Sequence, residues 1–133
     1  MRRVAPVPLL AVLAACASTP GPVSVYEPAP GINEVLSGAI EAAPGHSLVV
    51  GDLVMPPGSE IPRHYHYGEE FIYVLGGSTS VSRAGFADVV LGPGDSVRVA
   101  PGTVHWGFAG SDGVRLVSAW VKPDDKPLRV AAE

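Results

Sequence analysis

From residue 32 onward, breakers interrupt the chain every ten to twenty residues, and no segment between them holds a helical period for three turns. They are Pro44-Gly45, Pro56-Pro57-Gly58, Gly76-Gly77, Gly92-Pro93-Gly94, Pro101-Gly102 and Ser111-Asp112-Gly113. Pro removes a backbone donor and Gly weakens both regular structures, so each cluster ends an element. The runs between are short and β-rich. They predict strands over 34–40, 48–55, 70–75, 78–82, 87–91, 96–99, 104–108 and 115–121. Several strands at this spacing, without intervening helices, indicate an all-β sandwich or jelly roll. The run Glu70-FIYVL-Gly76 is apolar at successive positions, as in a central strand covered on both faces. A second copy of the chain would be one source of such cover, so a homodimer is among the partners the pattern admits.

The first 31 residues read differently. Arg2 and Arg3 form a basic start, and Val4 to Ala15 form a short apolar run ending in Leu13-Ala14-Ala15-Cys16. Roughly a dozen apolar residues cannot cross a hydrocarbon core of ~30 Å as a helix, so residues 1–15 are expected to be a secretion signal. The ending resembles a bacterial lipobox, which implies lipidation at Cys16, an anchor to a membrane facing the periplasm, and a location in the cell envelope. Ala17 is compatible with the outer membrane. Residues 16–31 are rich in Pro, Gly and Ser and predict a tether of roughly 20 Å as a coil. Residues 32–133 would then be one β-barrel domain, since a chain of 133 residues rarely holds two cores.

Charge and cysteine content narrow the function. Cys16 is the only cysteine, so a mature domain lipidated there has neither a disulfide nor a thiolate ligand. Removing Arg2 and Arg3 takes the basic count from 9 to 7 against 13 acidic residues, a net charge near −6. With no basic cluster, nucleic acid is excluded as a partner.

The polar residues with chemical potential fall in one run. Gly58, His64, His66, Glu70 and Gly77 lie close together, and His105 follows in Gly102-Thr-Val-His105. His64 and His66 share a strand face by parity, with Tyr65 turned away. Three imidazoles and one carboxylate are ligands for a divalent transition metal. His46 has no partner pattern and is expected at the surface, and Arg98 in a surface pair. Trp106 and Trp120 are expected in packing. Glu69 reads as a solvated neighbour.

These residues resemble the cupin superfamily. Its first motif, G-x5-H-x-H-x3-E-x6-G, is matched at every named position by residues 58–77. Its second, G-x5-P-x-G-x2-H-x3-N, is matched at Gly94, Gly102 and His105, while Ala100 and Ala109 replace the Pro and Asn. The resemblance implies a jelly-roll barrel with His64, His66, Glu70 and His105 holding one Fe, Mn, Ni, Cu or Zn ion. It also implies that Glu70 could leave the metal and act as a base. The expected activity is a metal-dependent, dioxygenase-like oxidoreduction of a small oxygenated organic molecule. The alternatives are a non-redox lyase or isomerase, and a non-catalytic cupin that binds a small ligand.

Overall fold

The computed structural model describes residues 26–133; the expected signal and Cys16 lie outside them. Eight strands follow in order: β1 (Gly31–Ala39), β2 (His46–Met55), β3 (Glu60–Tyr65), β4 (Glu70–Arg83), β5 (Val89–Leu91), β6 (Ser96–Val99), β7 (His105–Pro123) and β8 (Val130–Ala131). Among the described residues there is no helix. Every pairing is antiparallel, in the order β1-β2-β7-β3-β8, with β4 joined to β5, β6 and β7. This is the all-β jelly roll that the breaker pattern predicts.

Two predicted turns are bends instead. Gly76-Gly77 and Ser111-Asp112-Gly113 were expected to end strands, yet β4 and β7 run through them. Pairing between β4 and β7 survives with register shifts at Val74/Gly76 and Gly77/Thr79. Gly77 (φ 68°) and Gly113 (φ 77°) supply left-handed backbone at the bend. They also touch: a Cβ on Gly77 would lie 2.1 Å from the Gly113 carbonyl oxygen. Both long strands therefore turn together, and each serves the two halves of the barrel.

Alternation along β4 decides what faces inward. Glu70, Ile72 and Val74 are buried, while Phe71, Tyr73 and Leu75 are exposed. The strand is central, lying between β6 and β7, but it is covered on one face only within a single chain. The apolar run had suggested cover on both. Ile72, Val74, Val81, Leu91, Val99, Ala109, Val114 and Leu116 form the core. Burying each of the larger ones contributes about 1.5–3 kcal/mol.

Two strands fall outside the predicted ranges, although parity puts His64 and His66 on a strand face. The strand that carries His64, β3, ends at Tyr65, one residue before His66. β3 follows the Pro57-Gly58 turn and pairs with β7, setting His64 opposite His105. β8 pairs with β3 at His64 and Tyr65, and Leu128 and Arg129 just before it line the cavity. The end of the expected tether is also in contact with the barrel, because the Tyr26 carbonyl accepts a hydrogen bond from Arg115 Nη2 at 3.3 Å. Arg115 in turn forms a two-pronged pair with the buried Asp52, at 2.8 and 3.2 Å.

Candidate metal centre

β3 delivers His64, the residues just beyond it His66, the first residue of β4 Glu70 and the first of β7 His105. All four are buried, with at most 6 % exposure. One donor atom from each lies within 4.8 Å of all the others. Four atoms held ~2.1 Å from one ion would stand roughly 3–4 Å apart, so the spread suits a single centre after small adjustments.

Backbone carbonyls orient the imidazoles. His64 Nδ1 faces the Pro62 carbonyl at 2.6 Å, His105 Nδ1 faces that of Thr103 at 2.9 Å, and His66 Nδ1 faces that of Leu128. A carbonyl only accepts, so each Nδ1 carries a proton and donates it. In a neutral imidazole the lone pair is then on Nε2, directed into the barrel. His105 Nε2 stands 3.0 Å and His66 Nε2 3.3 Å from Glu70 Oε2. Glu70 Oε2 and His105 Nε2 are buried without a hydrogen-bond partner. Lone pairs packed at this distance repel unless a positive charge lies among them. A divalent cation would supply it, so the residues fit a metal.

Protonation behaviour agrees. Burial pushes the His64 imidazole down to about 4, and the nearby His105 adds to the effect against the raising bond to Pro62. It is neutral and able to ligate near pH 7. Burial alone would raise the Glu70 carboxyl, but hydrogen bonding and positive charge from His105 and His66 overturn this and carry it down to about 2. That effect needs a proton, or a cation in its place, between those rings and Oε2. The carboxylate is thus ionised, and it awaits a cation or a proton held on one of those rings.

Two further contacts complete the site. Ser118 Oγ, fully buried, donates to Glu70 Oε1 at 2.9 Å, which leaves Oε2 to face the imidazoles. Trp120 Nε1–H donates to His66 Nε2 at 3.2 Å. The indole therefore uses the lone pair that His66 would offer a metal, and ligation requires it to let go. Gly51 leaves room for this ring, since a Cβ there would lie 3.1 Å from Trp120 Cζ3. Trp120 is more than the packing residue expected from sequence; Trp106 lines the cavity with Arg63 stacked 4.0 Å above its ring. Arg98 pairs with Glu69 at the surface, away from the centre. His46 is half-buried at the start of β2.

The cluster opens into a cavity of about 130 Å³ whose walls are mainly Ile, Leu, Val, Met and Trp side chains. A jelly-roll barrel with three imidazoles and one carboxylate turned inward beside an apolar cavity defines a class of small barrel proteins whose buried centre could hold a metal. Residues 51–121 match the family profile described as the cupin domain, and the chain belongs to that family.

No curated protein matches the chain. Among solved structures it is similar to a cupin-like protein from Thermotoga maritima MSB8, at 26 % identity over 64 % of each chain and TM-score 0.59. It is also similar to the DMSP lyase DddQ from Ruegeria pomeroyi DSS-3, at 24 % identity over 68 % of this chain and 44 % of that one, TM-score 0.56. A third similarity is to a single-residue variant of oxalate decarboxylase from Bacillus subtilis, at 20 % identity over 66 % of this chain and 24 % of that one, TM-score 0.55. The chain therefore spans less than half the length of the lyase and about a quarter of the decarboxylase. The last two similarities are of fold.

Proposed function

We propose that this chain is a metal-dependent oxidoreductase, dioxygenase-like, that acts on a small organic molecule held in the barrel cavity. The observation that carries the reading is the set of four buried donors converging within 4.8 Å, two of which, Glu70 Oε2 and His105 Nε2, have no hydrogen-bond partner. A bound divalent metal would supply Lewis-acid or redox chemistry there. His64, His66, Glu70 and His105 would hold it, Ser118 would keep one carboxylate oxygen aimed inward, and the apolar walls would exclude water from the reacting groups. Glu70 was also a candidate base. A carboxyl held at about 2 is a weak one, so ligation is its principal role in this proposal. Among the described residues no better-placed base stands beside the cluster, so chemistry centred on the metal suits the site more than proton abstraction does.

Lyase activity is the second reading. It draws support from two proteins of similar fold, a DMSP lyase and an oxalate decarboxylase. Elemental analysis and oxygen uptake separate the two. Purified protein holding a redox metal and consuming O₂ with its substrate supports the first; turnover that persists without oxygen, or protein holding only zinc, defeats it.

Export and lipidation at Cys16 belong to the same proposal and rest on Leu13-Ala14-Ala15-Cys16 and the basic start. Radiolabelled palmitate should enter the wild-type chain and be lost in Cys16→Ser. Unchanged labelling in that variant would end the claim.

A further inference from the structure

The walls of the cavity carry little free polarity. Ser118 has committed its hydroxyl proton to Glu70. Ser80 Oγ accepts from the Phe108 amide at 3.0 Å and faces the Phe108 carbonyl at 3.5 Å. A polyol or a dicarboxylate would bury oxygens against Ile61, Leu116, Leu128, Trp106 and Trp120 with nothing to pair them.

One charged group stands beside the metal-ligating cluster. Arg129 lines the cavity, and its Nη2 donates at 3.2 Å to the Pro62 carbonyl, the same oxygen that faces His64 Nδ1. That shared acceptor puts the guanidinium on the His64 side of the cluster. Among the described residues Arg129 makes no ion pair, and a guanidinium has five N–H groups to offer. Glu60, the other charged lining residue outside the cluster, starts β3 four positions before His64, ~13 Å away along the strand. Arg129 arrives with the segment that also places the Leu128 carbonyl on His66. This segment lies beyond residues 51–121, the stretch that matches the family profile.

We infer that the ligand is a small monocarboxylate with an apolar body, aromatic or branched aliphatic, whose carboxylate faces the His/Glu cluster and Arg129 while its hydrocarbon fills the cavity. The inference rests on the metal-binding reading above. A divalent ion on three neutral imidazoles and one carboxylate leaves about one positive charge and Arg129 adds a second, so the site favours an anion. The apolar walls, which would leave a second carboxylate unpaired, limit it to one such group, and Arg129 offers that group planar two-point recognition.

The test is calorimetric titration of the full-length, metal-loaded protein with benzoate, benzyl alcohol and oxalate, after metal content has been measured on the same sample. Benzoate should bind at least tenfold more tightly than the other two. Arg129→Gln should keep its metal, weaken benzoate about tenfold and leave benzyl alcohol unchanged; Arg129→Lys should restore part of the loss. Oxalate binding as tightly as benzoate, or benzoate indifferent to Arg129→Gln, overturns the inference. Failure of benzoate on metal-replete protein defeats this inference alone, whereas protein that takes up no metal defeats the underlying reading as well.

Discussion

Ser118 donates its hydroxyl to Glu70 Oε1 at 2.9 Å, across 48 residues of sequence and with both side chains buried. The bond divides the carboxylate into a held oxygen and a free one, and the free one faces His66 and His105. Partners of this kind typically change metal affinity 10- to 100-fold when removed. Ser118→Ala should remain folded and lose metal affinity by about that factor, read by competition with a chromogenic chelator. An unchanged affinity would show that Glu70 is oriented by packing alone.

His105→Ala removes one of four donors and leaves Glu70 Oε2 facing a void. Metal content should fall from about one equivalent per chain to near zero in elemental analysis. In the wild type, a chelator should lower the melting temperature, because a ligand of the folded state stabilises it in proportion to the logarithm of its occupancy. The same chelator should not shift His105→Ala.

Trp120 makes the opposite prediction. Its indole N–H occupies His66 Nε2 at 3.2 Å, so metal entry breaks a buried hydrogen bond worth ~1 kcal/mol. Trp120→Phe keeps most of the ring volume and removes that competitor. Metal affinity should rise by about five- to tenfold in the same chelator competition. A fall would mean that the indole supports His66 rather than competing for it.

Acid should destabilise the metal-free protein over a defined window. Unfolded His64 takes up a proton near 6.5, but the folded imidazole, desolvated by burial, waits until about 4. Between these values the unfolded state binds more protons, so stability falls as pH drops. Glu70 extends the loss: unfolded it protonates near 4.5, folded near 2. The stability that its depressed value contributes is complete above 4.5 and disappears on the way down to 2. Denaturant midpoints of chelated protein should decline steadily below pH 6.5; a flat profile from 7 to 5 would contradict a neutral, buried His64.

Gly58 and Gly77 end the first motif, and both have φ near 68°. Their surroundings differ. A Cβ on Gly58 meets nothing within 4 Å, whereas on Gly77 it would lie 2.1 Å from the Gly113 carbonyl oxygen. Gly58→Ala should cost about 1 kcal/mol, from backbone conformation alone. Gly77→Ala must also separate the two bent strands and should cost several times more, a fall in melting temperature of ~10 °C or greater. Equal losses would show that the bend has no role in holding the halves together.

The sequence by itself determined the fold class and the four donors. Breakers exclude helices locally, and the spacing of His64, His66 and Glu70 needs only a strand and a turn to bring them together. It also marked Gly76-Gly77 and Gly113 as special positions, though it could not say whether a glycine ends a strand or bends one; that depends on whether a neighbouring strand keeps pairing through the bend, as β7 does with β4. Tertiary structure alone decided the rest of the site. The Pro62 and Thr103 carbonyls are local, two residues before His64 and His105. But Ser118, Trp120 and Arg129 are ordinary residue types with no local pattern, and the Leu128 carbonyl belongs to the backbone, which every residue has. They became specific when β7 and β8 closed the barrel and set them against imidazoles up to 62 residues away in sequence. A motif names the donors, but which nitrogen faces inward, and what else the cavity can hold, follows from how the strands close around them.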